Sequence, residues 1–197
     1  MIRNTAVTVC GPLNVNKLGV TYVHEHLMVK PQLPDEYYIP YTLDDEAAST
    51  EETRSFSAAG GETLVEMTPI NYGRNVKAYQ RIAQATGVHV ICCTGFHKQL
   101  FMPPWFGDKT DGELYDILMD EVTNGLDDTE IHPGVIKLGT SFEEVTAAEK
   151  RSIEAVAQNR EAMIYEASDL VYHLLVLLEA TGCSIADLEK ELARRHS

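Results

Sequence analysis

Four short runs of β-type apolar residues punctuate this chain: Leu18 to Val23, Thr63 to Met67, Val88 to Thr94 and Gly134 to Leu138. Helix-like segments separate them. Asn75 to Thr86 sets Val76, Tyr79, Ile82 and Ala83 on one helical face and stops at Gly87. Gly112 to Leu126 does the same with Leu114, Ile117, Leu118 and Val122, and Asp44 to Ala59 is weakly amphipathic. Strands that alternate with helices build a parallel sheet, because parallel neighbours need a long crossover rather than a tight turn. Ahead of the first run, Thr5 to Lys17 reads as a hairpin with Gly11, Pro12 and Asn16 as turn residues.

After Leu138 no further strand signal follows. Thr146-Ala-Ala-Glu149 is a capping box and predicts a helix start. Gln158-Asn159 is a polar break. From Glu161 to Thr181 apolar residues cover nearly the whole helical circumference, which calls for burial on several sides. Gly182 suits the position after a helix end, and Ser184-Ile-Ala-Asp187 reads as a second cap. The last helix, Ile185 to His196, ends in Arg194, Arg195 and His196, which complement the negative end of its dipole.

A full (β/α)8 barrel takes about 250 residues, and this chain has 197. The expected fold is therefore α/β: half of a (β/α)8 barrel, four parallel strands with helices, followed by a two-helix C-terminal appendage. Two domains are expected, 1–157 and 158–197. A half barrel has two open sheet edges, and an all-round apolar helix needs cover. Both features predict a homo-oligomer, through residues 161–196 or through the sheet edges.

Sixteen basic residues stand against 30 acidic ones, a net charge of −14. Such a chain repels nucleic acid and anionic membranes. The longest apolar stretch, Leu170 to Leu178, is too short to span a bilayer, and the N-terminus lacks a signal-length apolar core. Cys92 and Cys93 are adjacent and poorly placed for a disulfide, and no CxxC pair is present. A reducing cytoplasm is the expected location.

The chemistry concentrates at His24-Glu25-His26, which ends the first run. Residues i and i+2 of a strand face the same side, so both imidazoles are expected to reach one divalent metal from the C-terminal end of the sheet. Glu25 between them points to the other face and reads as a structural partner.

The passage GPLNVNKLGVTYVHEHL resembles the phosphotriesterase family of the amidohydrolase superfamily. The resemblance continues through TLVEMTPINYGRNVKAYQRIAQATGVHVICCTGFH and GVIKLGTSFEEVTAAEKRSIEA, covering residues 5 to 157, and is nearest to lactonase-like members, including those acting on phosphorylated sugar lactones. It implies a metal-dependent hydrolase of lactone, ester or phosphotriester bonds, using zinc or manganese. It makes His24, His26 and Lys137 metal ligands, with Lys137 carboxylated. The physical basis is that a lysine inside an apolar strand is costly when charged, and a neutral amine can add carbon dioxide to give a metal-bridging carbamate. The family completes its site with histidines from the fifth and sixth strands and an aspartate from the eighth. His132, His173 and His196 match none of these positions, so half the site is missing and weak or absent activity is expected.

The tail NREAMIYEASDLVYHLLVLLEATGCSIADLEKELARRHS resembles the C-terminal end of phosphoribosyl-ATP pyrophosphohydrolase. That resemblance implies a nucleotide pyrophosphatase with Mg²⁺ held by Glu166 and Asp169, which share a helix face at i and i+3. The second acidic helix such enzymes need is not matched: Glu143, Glu144 and Glu149 have the wrong spacing. Two incomplete families joined near Gln158 suggest a fusion or rearrangement. The rival readings are thus a metal hydrolase, a nucleotide pyrophosphatase, and a non-enzymatic fused or engineered scaffold.

Overall fold

A computed structural model describes residues 4–31, 42–140, 144–157, 178 and 182–195. The chain divides into two compact units, 1–156 and 157–197.

The first unit opens with a hairpin, β1 (Thr5–Thr8) against β2 (Gly11–Asn14), with Thr5 opposite Asn14 and Thr8 opposite Gly11. There follow β3 (Thr21–Glu25), α1 (Glu46–Ala58), β4 (Thr63–Glu66), α2 (Val76–Thr86), β5 (His89–Phe96), α3 (Asp111–Asn124), β6 (Val135–Leu138) and α4 (Ala147–Ala157). β3 to β6 form one parallel sheet in chain order. It is a curled half barrel, so the expected four β/α units are present. The strands lie within three residues of the sequence signals; the two inner ones, β4 and β5, are buried almost throughout, as strands covered on both faces are.

The helices begin where side chains can satisfy the free N–H groups of the first turn. Asp45 accepts from Ala47 N and Ala48 N at 2.9 and 3.0 Å ahead of α1. Asn75 accepts from Ala78 N ahead of α2, and Gly87 closes α2 in the left-handed conformation. α3 carries a reciprocal box between Thr110 and Glu113 that the sequence reading passed over. At α4 the expected box is present: Glu149 N donates to Thr146 Oγ1 at 3.3 Å and Thr146 N to Glu149 Oε2 at 2.9 Å.

The core lies between the sheet and its helices. Val76, Tyr79, Ile82 and Ala83, the anticipated face of α2, are all buried against Leu64, Val88, Val90 and Cys92. Each such large side chain contributes about 1.5–3 kcal/mol. A second cluster joins Phe96, Phe106, Leu114, Leu118 and Ala155. Val122, expected on the buried face of α3, is 41% exposed, because only Leu114 and Leu118 of that helix are buried. The hairpin closes the N-terminal end of the sheet: Val9 N donates to Val90 O at 2.8 Å and Gln80 Nε2 to Val9 O at 2.8 Å.

In the second unit, α5 (Ile185–Arg195) starts at a reciprocal cap. Asp187 N donates to Ser184 Oγ at 3.3 Å and Ser184 N to Asp187 Oδ2 at 2.9 Å. Gly182 is left-handed with φ +69°. The apolar segment 161–177, with Glu166, Asp169 and His173, lies outside the described residues, as does the oligomer interface expected there. Among the described residues no helix is long and apolar enough to cross a membrane.

Candidate metal centre

The regular alternation expected for His24 and His26 is interrupted. β3 ends at Glu25, and its register against β4 slips between Tyr22 and Glu25, where three steps along β3 match two along β4. His26 lies just past the strand. The bulge still leaves the two rings together, with centroids 5.3 Å apart and planes at 67°. Bulges commonly re-aim side chains near active sites. Glu25 acts locally, as its Oε1 accepts from His26 N at 2.8 Å.

His26 is held from behind by a buried chain of polar groups. Its Nδ1 lies 2.8 Å from Thr68 Oγ1, and Thr68 Oγ1 donates to Glu66 Oε1 at 2.5 Å. When the Thr68 hydroxyl donates to Glu66, its oxygen can accept from His26 Nδ1–H, the arrangement that leaves the Nε2 lone pair for a metal, as supporting partners of metal-binding histidines do. Glu66 is itself anchored, accepting from Leu27 N at 3.3 Å and Thr68 N at 3.2 Å. Burial pushes its carboxyl up to about 8, against the pull of these donors.

Both histidines are kept neutral. Burial, then the charges of His24 and Lys137, lower His26 to about 4. Burial and Lys137 also lower His24. Lys137 therefore stands near enough for its charge to act on both rings. It is half-buried rather than enclosed, because β6 is an outer strand. Its backbone is fixed by Gly95 opposite: a Cβ on that glycine, which has φ +114°, would meet Lys137 O at 2.0 Å.

His97, one residue past β5, is a member of this end of the sheet that the sequence reading did not single out. The signal was its place in TGFH, at a strand's C-terminal end like His24 and His26. Its ring stacks on Phe101 with centroids 5.0 Å apart and meets Tyr72 at 4.5 Å, and Tyr72 in turn lies 5.8 Å from His26. Its Nδ1 is buried with no hydrogen-bond partner, and a Cβ on Gly139 would fall 2.3 Å from that atom. Burial, then the charges of Lys137 and Lys98, lower His97 to about 4. An unfolded histidine at 6.5 takes up its proton before the folded one does, so this residue costs stability as pH falls from 6.5 towards 4. The His97→Phe variant is expected to lose less of its thermal stability between pH 7 and pH 5 than the parent. An identical pH slope in calorimetry would contradict this.

Tyr72, His97 and Phe101 form a continuous aromatic wall beside His26. Among the described residues no three His, Cys, Asp or Glu side chains converge to hold a metal by themselves. The donor set is two neutral imidazoles and Lys137, which fits part of a metal site and is short of carboxylates.

The model of the phosphotriesterase family matches residues 4–166. This chain belongs to the phosphotriesterase family. The match runs nine residues past 157, into the segment assigned above to a different resemblance. A phosphotriesterase-related protein from Nematostella vectensis is 32% identical over 190 residues, covering 80% of this chain and 54% of the relative. A phospho-furanose lactonase from Mycoplasmopsis synoviae is 31% identical, covering 80% of this chain and 49% of the relative. Among solved structures, a lactonase from Listeria monocytogenes superposes with a TM-score of 0.72 at 29% identity, over 80% of this chain and 54% of that one. The chain thus spans about half the length of the relatives it matches. The family is one of binuclear metal hydrolases. Nothing in these matches supports the resemblance of the tail to phosphoribosyl-ATP pyrophosphohydrolase.

Proposed function

We propose that this phosphotriesterase-family chain is a metal-dependent hydrolase whose metal is held by His24, His26 and Lys137. Its substrates are lactone, ester or phosphotriester bonds, with lactones first, in keeping with the lactonases among its relatives. The observation that carries this reading is the imidazole pair, with ring centroids 5.3 Å apart and His26 held through Nδ1 by Thr68 at 2.8 Å.

Imidazole nitrogens with an oxygen-bearing third ligand suit zinc or manganese. Carboxylation of Lys137 would supply that oxygen and replace a positive charge among three basic groups with a negative one. Bound metal would supply Lewis-acid polarisation of the carbonyl or phosphoryl oxygen and a more acidic water. The chain's own residues supply the rest. His24 and His26 stay unprotonated and therefore available as ligands. Thr68 and Glu66 hold the ring of His26. Tyr72, His97 and Phe101 present an apolar wall that excludes water from one side.

A group to move protons is what the described residues do not add, since no carboxylate completes a cluster with the two histidines. General acid–base help is worth about 10²–10⁴-fold. Lactone or phosphotriester hydrolysis is therefore expected at least roughly a hundredfold below that of a complete family barrel, the low end of that range. The test is metal analysis after exhaustive dialysis, paired with lactone turnover. Retained stoichiometric zinc or manganese with slow turnover is expected. A chain that retains no metal and takes up none on titration would refute the assignment.

A further inference from the structure

Glu149 is the acid of the capping box at α4, and the same box recurs with Glu113 at α3 and Asp187 at α5. The three differ in burial. The side chains of Glu113 and Asp187 are 51% and 57% exposed, whereas Glu149 is 1% exposed. A helix cap works at the surface, and enclosing a carboxylate is costly unless its oxygens are well satisfied. The second oxygen gives the reason for the burial. Oε2 accepts from Thr146 N within the box, while Oε1 accepts at 3.1 Å from Gln99 N, 50 residues earlier in the chain. Gln99 opens the 3-10 turn Gln99–Phe101, and the residue ahead of that turn, Lys98, makes no side-chain cap bond to it. A carboxylate from α4 takes that place. Bonds of this kind, from N–H to a charged acceptor, are about twice as strong as neutral ones.

The turn carries part of the aromatic wall. Phe101 stacks on His97 with planes 8° apart and meets Tyr72 at 4.7 Å, and Tyr72 stands edge-on to His26. From the other side, Asn71 Oδ1 accepts from His97 N at 2.7 Å and Asn71 Nδ2 donates to Met102 Sδ at 3.5 Å. The loop from His97 to Met102 is thus clamped between the segment after β4 and the start of α4. We propose that Glu149 is a positioning residue for the candidate metal centre: its bond to Gln99 N fixes the turn that sets Phe101 and His97, and with them the wall beside His26. The consequence for turnover rests on the metal-hydrolase reading above. A wall that touches substrate alike in the ground and transition states is felt in KM rather than in kcat.

The test uses the full chain and reaches the bond from both ends. E149Q removes the charge of the acceptor. Q99P deletes the donor alone and leaves the carboxylate and the α4 cap in place. Proline suits the first position of a turn, and Lys98 before it is already extended, with φ −61° and ψ 164°. Proton NMR of the histidine rings reads the wall without any turnover, because the Phe101 stack shifts the His97 ring protons. Those signals should move towards ordinary imidazole positions in Q99P and in E149Q, and the double variant should match the single ones, as for two ends of one contact. T146A weakens the cap without touching Gln99 and should leave them in place. If E149Q fails to fold, Q99P against T146A decides. With zinc bound, KM for δ-valerolactone should rise about tenfold in Q99P, the low end for a hydrogen bond to a charged group, with kcat changed far less and zinc content kept. His97 signals that stay in place in Q99P, or that move as far in T146A, overturn the proposal. A parent that binds no zinc or does not turn over overturns the hydrolase reading instead, and the NMR comparison still decides the role of Glu149.

Discussion

Replacing Arg74 with Met is expected to lower the stability of the first unit by about 3–5 kcal/mol, the range for breaking a buried ion pair by removing one partner. The guanidinium is only 2% exposed. It donates to Glu121 Oε1 and to Asp127 Oδ1, each at 2.6 Å, and to Cys93 O at 3.2 Å. Glu121 also accepts from Thr94 Oγ1 at 2.5 Å. One side chain thus ties the start of α2 to β5, to the end of α3 and to the turn beyond it. Its removal strands Glu121 next to the sheet with an uncompensated charge. The loss is a large part of the 5–15 kcal/mol that holds a typical domain. The double variant Arg74→Met/Glu121→Gln should recover part of it, because the stranded charge is then gone. Urea unfolding measures both. A loss under about 1 kcal/mol for Arg74→Met would show that the pair behaves like an exposed one.

Changing His24 and His26 together to Ala is expected to abolish metal retention and any hydrolysis while leaving the fold intact. His24 is exposed and His26 half-buried at an outer strand, so their loss opens no large cavity. Thr68→Val is expected to give a graded result. It keeps the shape but removes the oxygen that holds His26 Nδ1, and loss of such a supporting partner typically weakens metal binding by about 10–100-fold. Metal titration on stripped protein separates the three. Unchanged zinc or manganese content in the double variant would show that the metal, if any, is held by other residues.

Several parts of this protein were written in the sequence because their causes are local. The four apolar runs became four parallel strands, and Val76, Tyr79, Ile82 and Ala83 became the buried face of α2. Thr146 with Glu149 and Ser184 with Asp187 became caps. Each follows from spacing within a few residues, which is the scale on which periodicity and capping act. The pair of histidines and the lysine of the last strand were legible for the same reason, as short patterns reinforced by a family resemblance.

What the sequence left undecided depends on contacts between distant segments. The bulge in β3 arises from pairing with β4 and moves His26 off the strand. The hold on His26 comes from Thr68 and Glu66, some 40 residues away. His97 joins the aromatic wall only because Tyr72 and Phe101 are folded against it. Arg74 gave no sign in the sequence of being buried, since its partners lie about 50 residues further on. The sequence by itself determined the elements, their order and the residue types at the end of each strand, because these rest on local spacing. Only the tertiary structure decided which groups hold His26 and which polar groups are buried together, because burial and hydrogen bonding at those points are set by chain segments that local spacing does not connect.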